Sequence, residues 1–148
     1  MQRPPRHPDT AILTPTLSLR VLLVGGLILA GAFGLYEWGL AAGVSIAQAR
    51  TVAVTAVVMI EVFYLLNCRS LDQSIFRIGP FSNPWVLAGI PGLLALQAMF
   101  VHLPLMNRVF QSAPLGAREW GLTAAAGLVT YGVVEIEKAV RRWRRAEA

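Results

Sequence analysis

Hydrophobic positions gather into four long runs, Val21 to Ala42, Thr51 to Leu66, Trp85 to Met106 and Trp120 to Ile136, parted by short polar segments. A helix rising 1.5 Å per residue needs about 20 residues, within a range of about 17–25, to cross a hydrocarbon core of about 30 Å. The first and third runs reach that length outright. The second and fourth reach it if flanking residues such as Ala47 and Lys138 are drawn in, the latter by snorkelling. Lipid offers the backbone no water to bond to, and four short spans cannot close a barrel, so each run is expected to be helical. The pattern therefore predicts an all-α membrane protein, a bundle of four transmembrane helices.

Punctuation between the runs sets the domain plan. Arg3-Pro4-Pro5-Arg6 and Pro8 cannot form a helix interior, so residues 1–18 read as a lead-in. Residues 19–141 hold the four helices, and 142–148 form a basic tail. Arg69 to Pro84 is a polar loop in which Ser82 or Asn83 can cap the third helix and Pro84 can occupy its first turn. Asn107 to Arg118 is the loop on the other side, with Pro114 as its breaker. The first run continues past Gly34 to Ala42, too long for a secretory signal.

Charge turns the plan into an orientation. With the N-terminus inside, ten cations (Arg3, Arg6, Arg20, Arg69, Arg77, Lys138, Arg141, Arg142, Arg144 and Arg145) fall on the inner side, and three (Arg50, Arg108 and Arg118) outside. Both termini are therefore expected in the cytoplasm. Trp38, Trp85, Trp120 and Trp143 stand at or beyond span ends, where an indole keeps its N–H wet. Composition agrees, with 55% hydrophobic and only 14% charged residues against roughly 25% charged in soluble domains. The net charge of +5 is a topology signal with no clustered basic face, so nucleic acid is not an expected partner. A single cysteine, Cys68, excludes an internal disulfide and any cysteine-based metal cluster.

Few residues can carry chemistry in such a setting. Glu61 lies deep in the second run, where a carboxylate costs about 2.5–3.5 kcal/mol on insertion scales and commonly faces a bundle interior or an ion path. Two readings stay open for it: a cation ligand or proton carrier, and a protonated side chain hydrogen-bonded between helices. Glu37 suits the outer interface, Glu135 suits a helix-end pair with Lys138 at i,i+3, and Gln97 suits a bond across helices. His102 stands late in the third run as a polar group near the outer interface, with a proton relay as its other reading. Gly26, Ala30 and Gly34 recur every four residues and form a stripe that lets another backbone approach closely. The sequence holds no phosphate loop of the GxxxxGKS/T or GxGxxG type, no HExxH and no nucleophile elbow, so no catalytic residue is assigned.

The loops are more telling than the spans. Arg3-Pro4-Pro5-Arg6 and Pro8, Ala49-Arg50-Thr51, Asn67-Cys68-Arg69-Ser70, Ser74-Ile75-Phe76, Gly79, Phe81-Ser82-Asn83-Pro84-Trp85, Pro104, Phe110, Ala113-Pro114-Leu115 and Trp120 follow in order. Together they resemble the C-terminal membrane domain of cation-transporting P-type ATPases, the type II calcium pumps and their bacterial relatives. The resemblance implies transmembrane helices seven to ten of such a pump, in a bacterial-type plasma membrane. It further implies that Glu61 is a cation-binding ligand, on helix eight, for calcium or a proton, and that the Gly26, Ala30 and Gly34 stripe packs against a helix this chain does not contain. Glu135-Ile136 matches part of an acidic pattern in helix ten, with Val134 where many members carry Asp. The phosphorylated DKTGT motif is absent, so ATP and Mg²⁺ are expected to bind a catalytic part outside these residues, and the remaining pump helices are expected partners beside the bilayer. The rival readings are a stand-alone four-helix transporter and a regulatory or scaffold subunit.

Overall fold

A computed structural model describes residues 15–68 and 84–146. The elements in chain order are α1 (Pro15–Ala41), α2 (Ile46–Asn67), α3 (Pro84–His102), α4 (Pro104–Phe110) and α5 (Ala117–Ala146), with no strand among the described residues. Among the described residues three helical segments, Leu17–Ala41, Ile46–Asn67 and Trp85–His102, are long and apolar enough to cross a membrane. In α5 the charges Arg118, Glu119, Glu135, Glu137 and Lys138 bracket the apolar stretch and shorten it.

Local chemistry explains the boundaries. Proline opens α1, α3 and α4, where its missing N–H is no loss and its fixed φ suits a first turn. The α1–α2 turn closes through Gly43 N–H donating to Leu40 O (3.0 Å) and Val44 N–H to Gly39 O (3.2 Å). Gly43 sits at φ +79°, a left-handed conformation that side chains resist. Ser45 then caps α2 by accepting from Gln48 N–H at 3.2 Å. At the start of α5, Gly116 N–H donates to Glu119 Oε2 at 2.9 Å, the return arm of a capping box.

Four expectations need correction. The third apolar run is not one helix to Met106: Leu103 is extended (φ −77°, ψ 126°) and Pro104 starts a separate short helix, because a residue before proline is pushed out of the α region. The loop expected from Asn107 is helical as far as Phe110. Helix α1 begins at Pro15, inside the expected lead-in, and α5 continues through the expected tail to Ala146. Finally, Lys138 does not snorkel; it is 1% exposed, and acceptors on α2 and α5 take its ammonium group. The capping roles assigned to Ser82 and Asn83, the inner-side placement of Arg69 and residues 1–14 of the lead-in lie outside the described residues.

Helix α2 is the centre of the bundle, packed along α5 and α1, with α3 joining it less extensively and α4 folded against α3. Two glycines allow the tight approaches. A Cβ on Gly31 of α1 would come within 2.7 Å of Ile60 Cδ1, and one on Gly127 of α5 within 2.3 Å of Phe63 Cδ2 and 2.9 Å of the Met59 carbonyl. Val52, Val101 and Leu115 form a buried cluster with Leu35, Phe100 and Trp120 against it. At one end, here the basic end, Arg20 Nη2 of α1 donates to Glu137 Oε2 of α5 at 2.6 Å. At the opposite end the Arg118 guanidinium of α5 lies 4.9 Å from the Trp38 ring centroid of α1. The first and last helices therefore run antiparallel and touch at both ends.

Candidate functional site

Helix α2 has two kinds of surface. Ala49, Thr51, Val52, Thr55, Ala56, Met59, Ile60, Val62 and Asn67 are buried. Arg50, Val54, Glu61, Leu65 and Cys68 remain exposed and recur at helical spacing along one side. Glu61 lies in that exposed row, about 7 Å from the helix midpoint toward the basic end at 1.5 Å per residue. It makes no hydrogen bond or ion pair with any described residue, so the interhelical bond left open by the sequence is not made among the described residues. No group of three or more His, Cys, Asp or Glu side chains comes together among the described residues. A Ca²⁺ ion takes about 6–8 oxygens. Glu61 places one carboxylate on the exposed row of α2.

The small-residue stripe of α1 behaves similarly. Gly26, Ala30 and Gly34 are exposed, and a Cβ on either glycine would meet nothing within 4 Å. Gly31, one position off the stripe, does the packing within the chain.

The buried polar groups of α2 are, by contrast, fully engaged. Thr51 Oγ1 donates to Ala47 O at 2.8 Å and accepts from Ala113 N–H at 2.9 Å, which pins the 111–116 connection to the helix. Thr55 Oγ1 donates to Thr51 O at 2.7 Å and accepts from Gln97 Nε2 of α3 at 2.9 Å. Gln97 thus makes the cross-helix bond expected of it. At the basic end Asn67 Nδ2 donates to Tyr131 O at 3.2 Å, and Lys138 Nζ reaches Asn67 O (2.9 Å), Asn67 Oδ1 (3.1 Å) and Glu135 Oε1 (3.0 Å). All three ammonium donors are used. The Glu135 and Lys138 pair was expected from spacing; Asn67 was not, although an amide at a helix end within reach of a lysine is the signal that could have raised it.

The remaining candidates fall at the helix ends. Glu37 is exposed beside Trp38. His102 Nε2 accepts from Trp120 Nε1 at 3.4 Å, with the rings stacked 6.3 Å apart, which supports its reading as a polar group held near the end of a span. Val134 is fully buried within α5. Trp85 and Trp143 are exposed at the termini of α3 and α5.

An all-helical, multi-pass membrane domain with one deep carboxylate on an open face is the class this architecture defines. Residues 1–140 match the family model described as "Cation transporting ATPase, C-terminus". The chain belongs to that family. A probable cation-transporting ATPase F of Mycobacterium tuberculosis is 42% identical over 120 residues, covering 81% of this chain and 13% of that protein. Calcium-transporting ATPase type 2C member 2 of Mus musculus is 32% identical over 146 residues, covering 98% of the chain and 15% of that protein. Calcium-transporting ATPase 1 of Schizosaccharomyces pombe is 30% identical over 142 residues, covering 96% and 16% respectively. The chain therefore spans less than a fifth of the length of these relatives.

Proposed function

We propose that the chain acts as the C-terminal membrane domain of a cation-transporting P-type ATPase, with Glu61 as one ligand of the transported ion. The observation that carries this reading is Glu61 itself, exposed on α2 and bonded to no described residue, in a member of this family. Two relatives are named calcium-transporting, and a hard carboxylate oxygen suits Ca²⁺ or a proton. The other ligands come from pump helices outside this chain, whose approach the exposed Gly26, Ala30 and Gly34 stripe favours.

In this reading α1, α2, the α3–α4 pair and α5 make four passages of a bacterial-type plasma membrane. The basic end with Arg20, Arg141, Arg142 and Arg144 faces the cytoplasm, so both termini lie inside. The apolar middle of α5 spans by drawing in the satisfied Lys138 and Glu135 pair at its inner end. ATP hydrolysis belongs to the catalytic part, and the role of this chain is helix packing and ligation.

The test is ATP-driven cation uptake into vesicles by the assembled pump. Glu61→Gln keeps the shape and removes the charge, and is expected to lower cation affinity at least tenfold, or about 1.4 kcal/mol. Unchanged uptake at limiting cation would remove Glu61 from the ligand set.

A further inference from the structure

The glycine-mediated helix approaches converge on one turn of α2. Among the described glycines, only Gly31 of α1 and Gly127 of α5 would bring a Cβ within 3.0 Å of another helix, and the atoms met at that range belong to Ile60, Met59 and Phe63. That turn carries Glu61. Its neighbours Met59, Ile60 and Val62 are buried, whereas Glu61 is exposed. Two helices thus grip the backbone around the carboxylate and leave the carboxylate itself outside the grip.

The two contacts differ in kind. A Cβ on Gly127 would stand 2.9 Å from the Met59 carbonyl oxygen, so backbone must move to admit it. At Gly31 the close contact is the Cδ1 end of Ile60 at 2.7 Å, a terminal methyl group that can rotate away. Six residues beyond Glu61, α5 holds α2 again: Asn67 Nδ2 donates to Tyr131 O, and Lys138 Nζ donates to Asn67 O. Slip and rotation of α2 against α5 are therefore resisted on both sides of Glu61.

We propose that Gly127 and Gly31 are positioning residues for Glu61: their missing side chains let α5 and α1 seat the 59–63 turn at one height and rotation, so the carboxylate is in place when the cation arrives. The inference rests on the reading of Glu61 as a ligand of the transported ion. A ligand held by packed backbone binds at less ordering cost than one on a loosely seated helix. Groups that orient a metal ligand without touching the ion are commonly worth about 10–100-fold in affinity.

ATP-driven uptake by the assembled pump, measured across cation concentrations, separates affinity from maximal rate. Gly127→Ala is expected to raise the half-saturating concentration about tenfold and to leave the maximal rate per folded pump within about twofold. Gly31→Ala should act in the same direction and less strongly. Ile60→Val deletes the Cδ1 that the new methyl group meets, and combined with Gly31→Ala it should restore affinity; this pair decides the matter if Gly127→Ala yields no folded pump. Gly132→Ala, on the same helix as Gly127 where a Cβ meets nothing, should leave affinity unchanged. In a Glu61→Gln background Gly127→Ala should add less than about twofold, because a positioning residue loses its effect with the group it positions. A loss of affinity in Glu61→Gln with none in Gly127→Ala would overturn the positioning role alone. Unchanged affinity in Glu61→Gln would remove the ligand reading and this one with it. Multiplying losses in the double variant, no rescue by Ile60→Val, or equal losses at Gly127 and Gly132 would also overturn the proposal.

Discussion

Lys138 and Glu61 are both charged residues within or at the edge of apolar helices, and the bundle treats them oppositely. Lys138 is 1% exposed, and every donor of its ammonium group is taken by Asn67 or Glu135. Glu61 is exposed and bonded to nothing described. A buried charge that is completed within its own chain stabilises that chain's architecture. A charge that no described residue completes on an exposed row is a candidate for a partner elsewhere, which is why the first is read as structural and the second is the proposed ligand.

Substitutions can break that contrast, and the largest effect is expected at the completed charge. Lys138→Met strands Asn67 and Glu135, and should cost about 3 kcal/mol, the lower end for breaking a buried pair, because Glu135 keeps 19% exposure. Thermal unfolding of the full chain in nanodiscs measures it, and a loss below that of a surface mutation would contradict the contrast. Gly127→Ala drives a Cβ to 2.9 Å from the Met59 carbonyl and should destabilise by about 1–3 kcal/mol. The same change at Gly34, where a Cβ meets nothing, should be neutral in this chain and harmful only in the assembled pump. Gln97→Leu removes the bond to Thr55 and should cost about 0.6 kcal/mol, the average for such bonds in membranes, with protection of the α3 amides from exchange as readout. Glu61→Gln should likewise shift the stability of the isolated chain by less than about 0.5 kcal/mol. A larger shift would mean that the carboxylate has a partner within the bundle.

The features legible in the sequence were those set by local chemistry or by solvent. Apolar run length located the helices, and the i,i+3 spacing identified the Glu135 and Lys138 pair. Gln97, a lone amide deep in a span, could only bond across helices. What was not legible depends on which face meets which neighbour. Pro91 remains inside α3 while Pro104 ends it, although both interrupt the same apolar run, and the letters alone do not tell a tolerated proline from a breaking one. Gly26, Gly31 and Gly34 look alike as letters, yet only Gly31 faces α2. Lys138 looked like a snorkelling residue because the helix end it binds, Asn67 of α2, is 71 positions away. For Glu61 the sequence located the charge, and the bundle added that no described helix covers it.

The Arg20 and Glu137 contact has a consequence for how the protein is made. Its partners are separated by 117 positions. At a synthesis rate of about 5–20 residues per second, the guanidinium waits about 6–23 s for its carboxylate. In the orientation proposed above, Arg20 is during that interval a topological anchor, holding the first helix at the headgroup layer while the intervening segments are threaded. When the last helix arrives, the same side chain changes role and becomes a latch. In that orientation a single arginine acts twice in the life of the chain, first to favour a direction across the membrane and then to make that choice difficult to reverse.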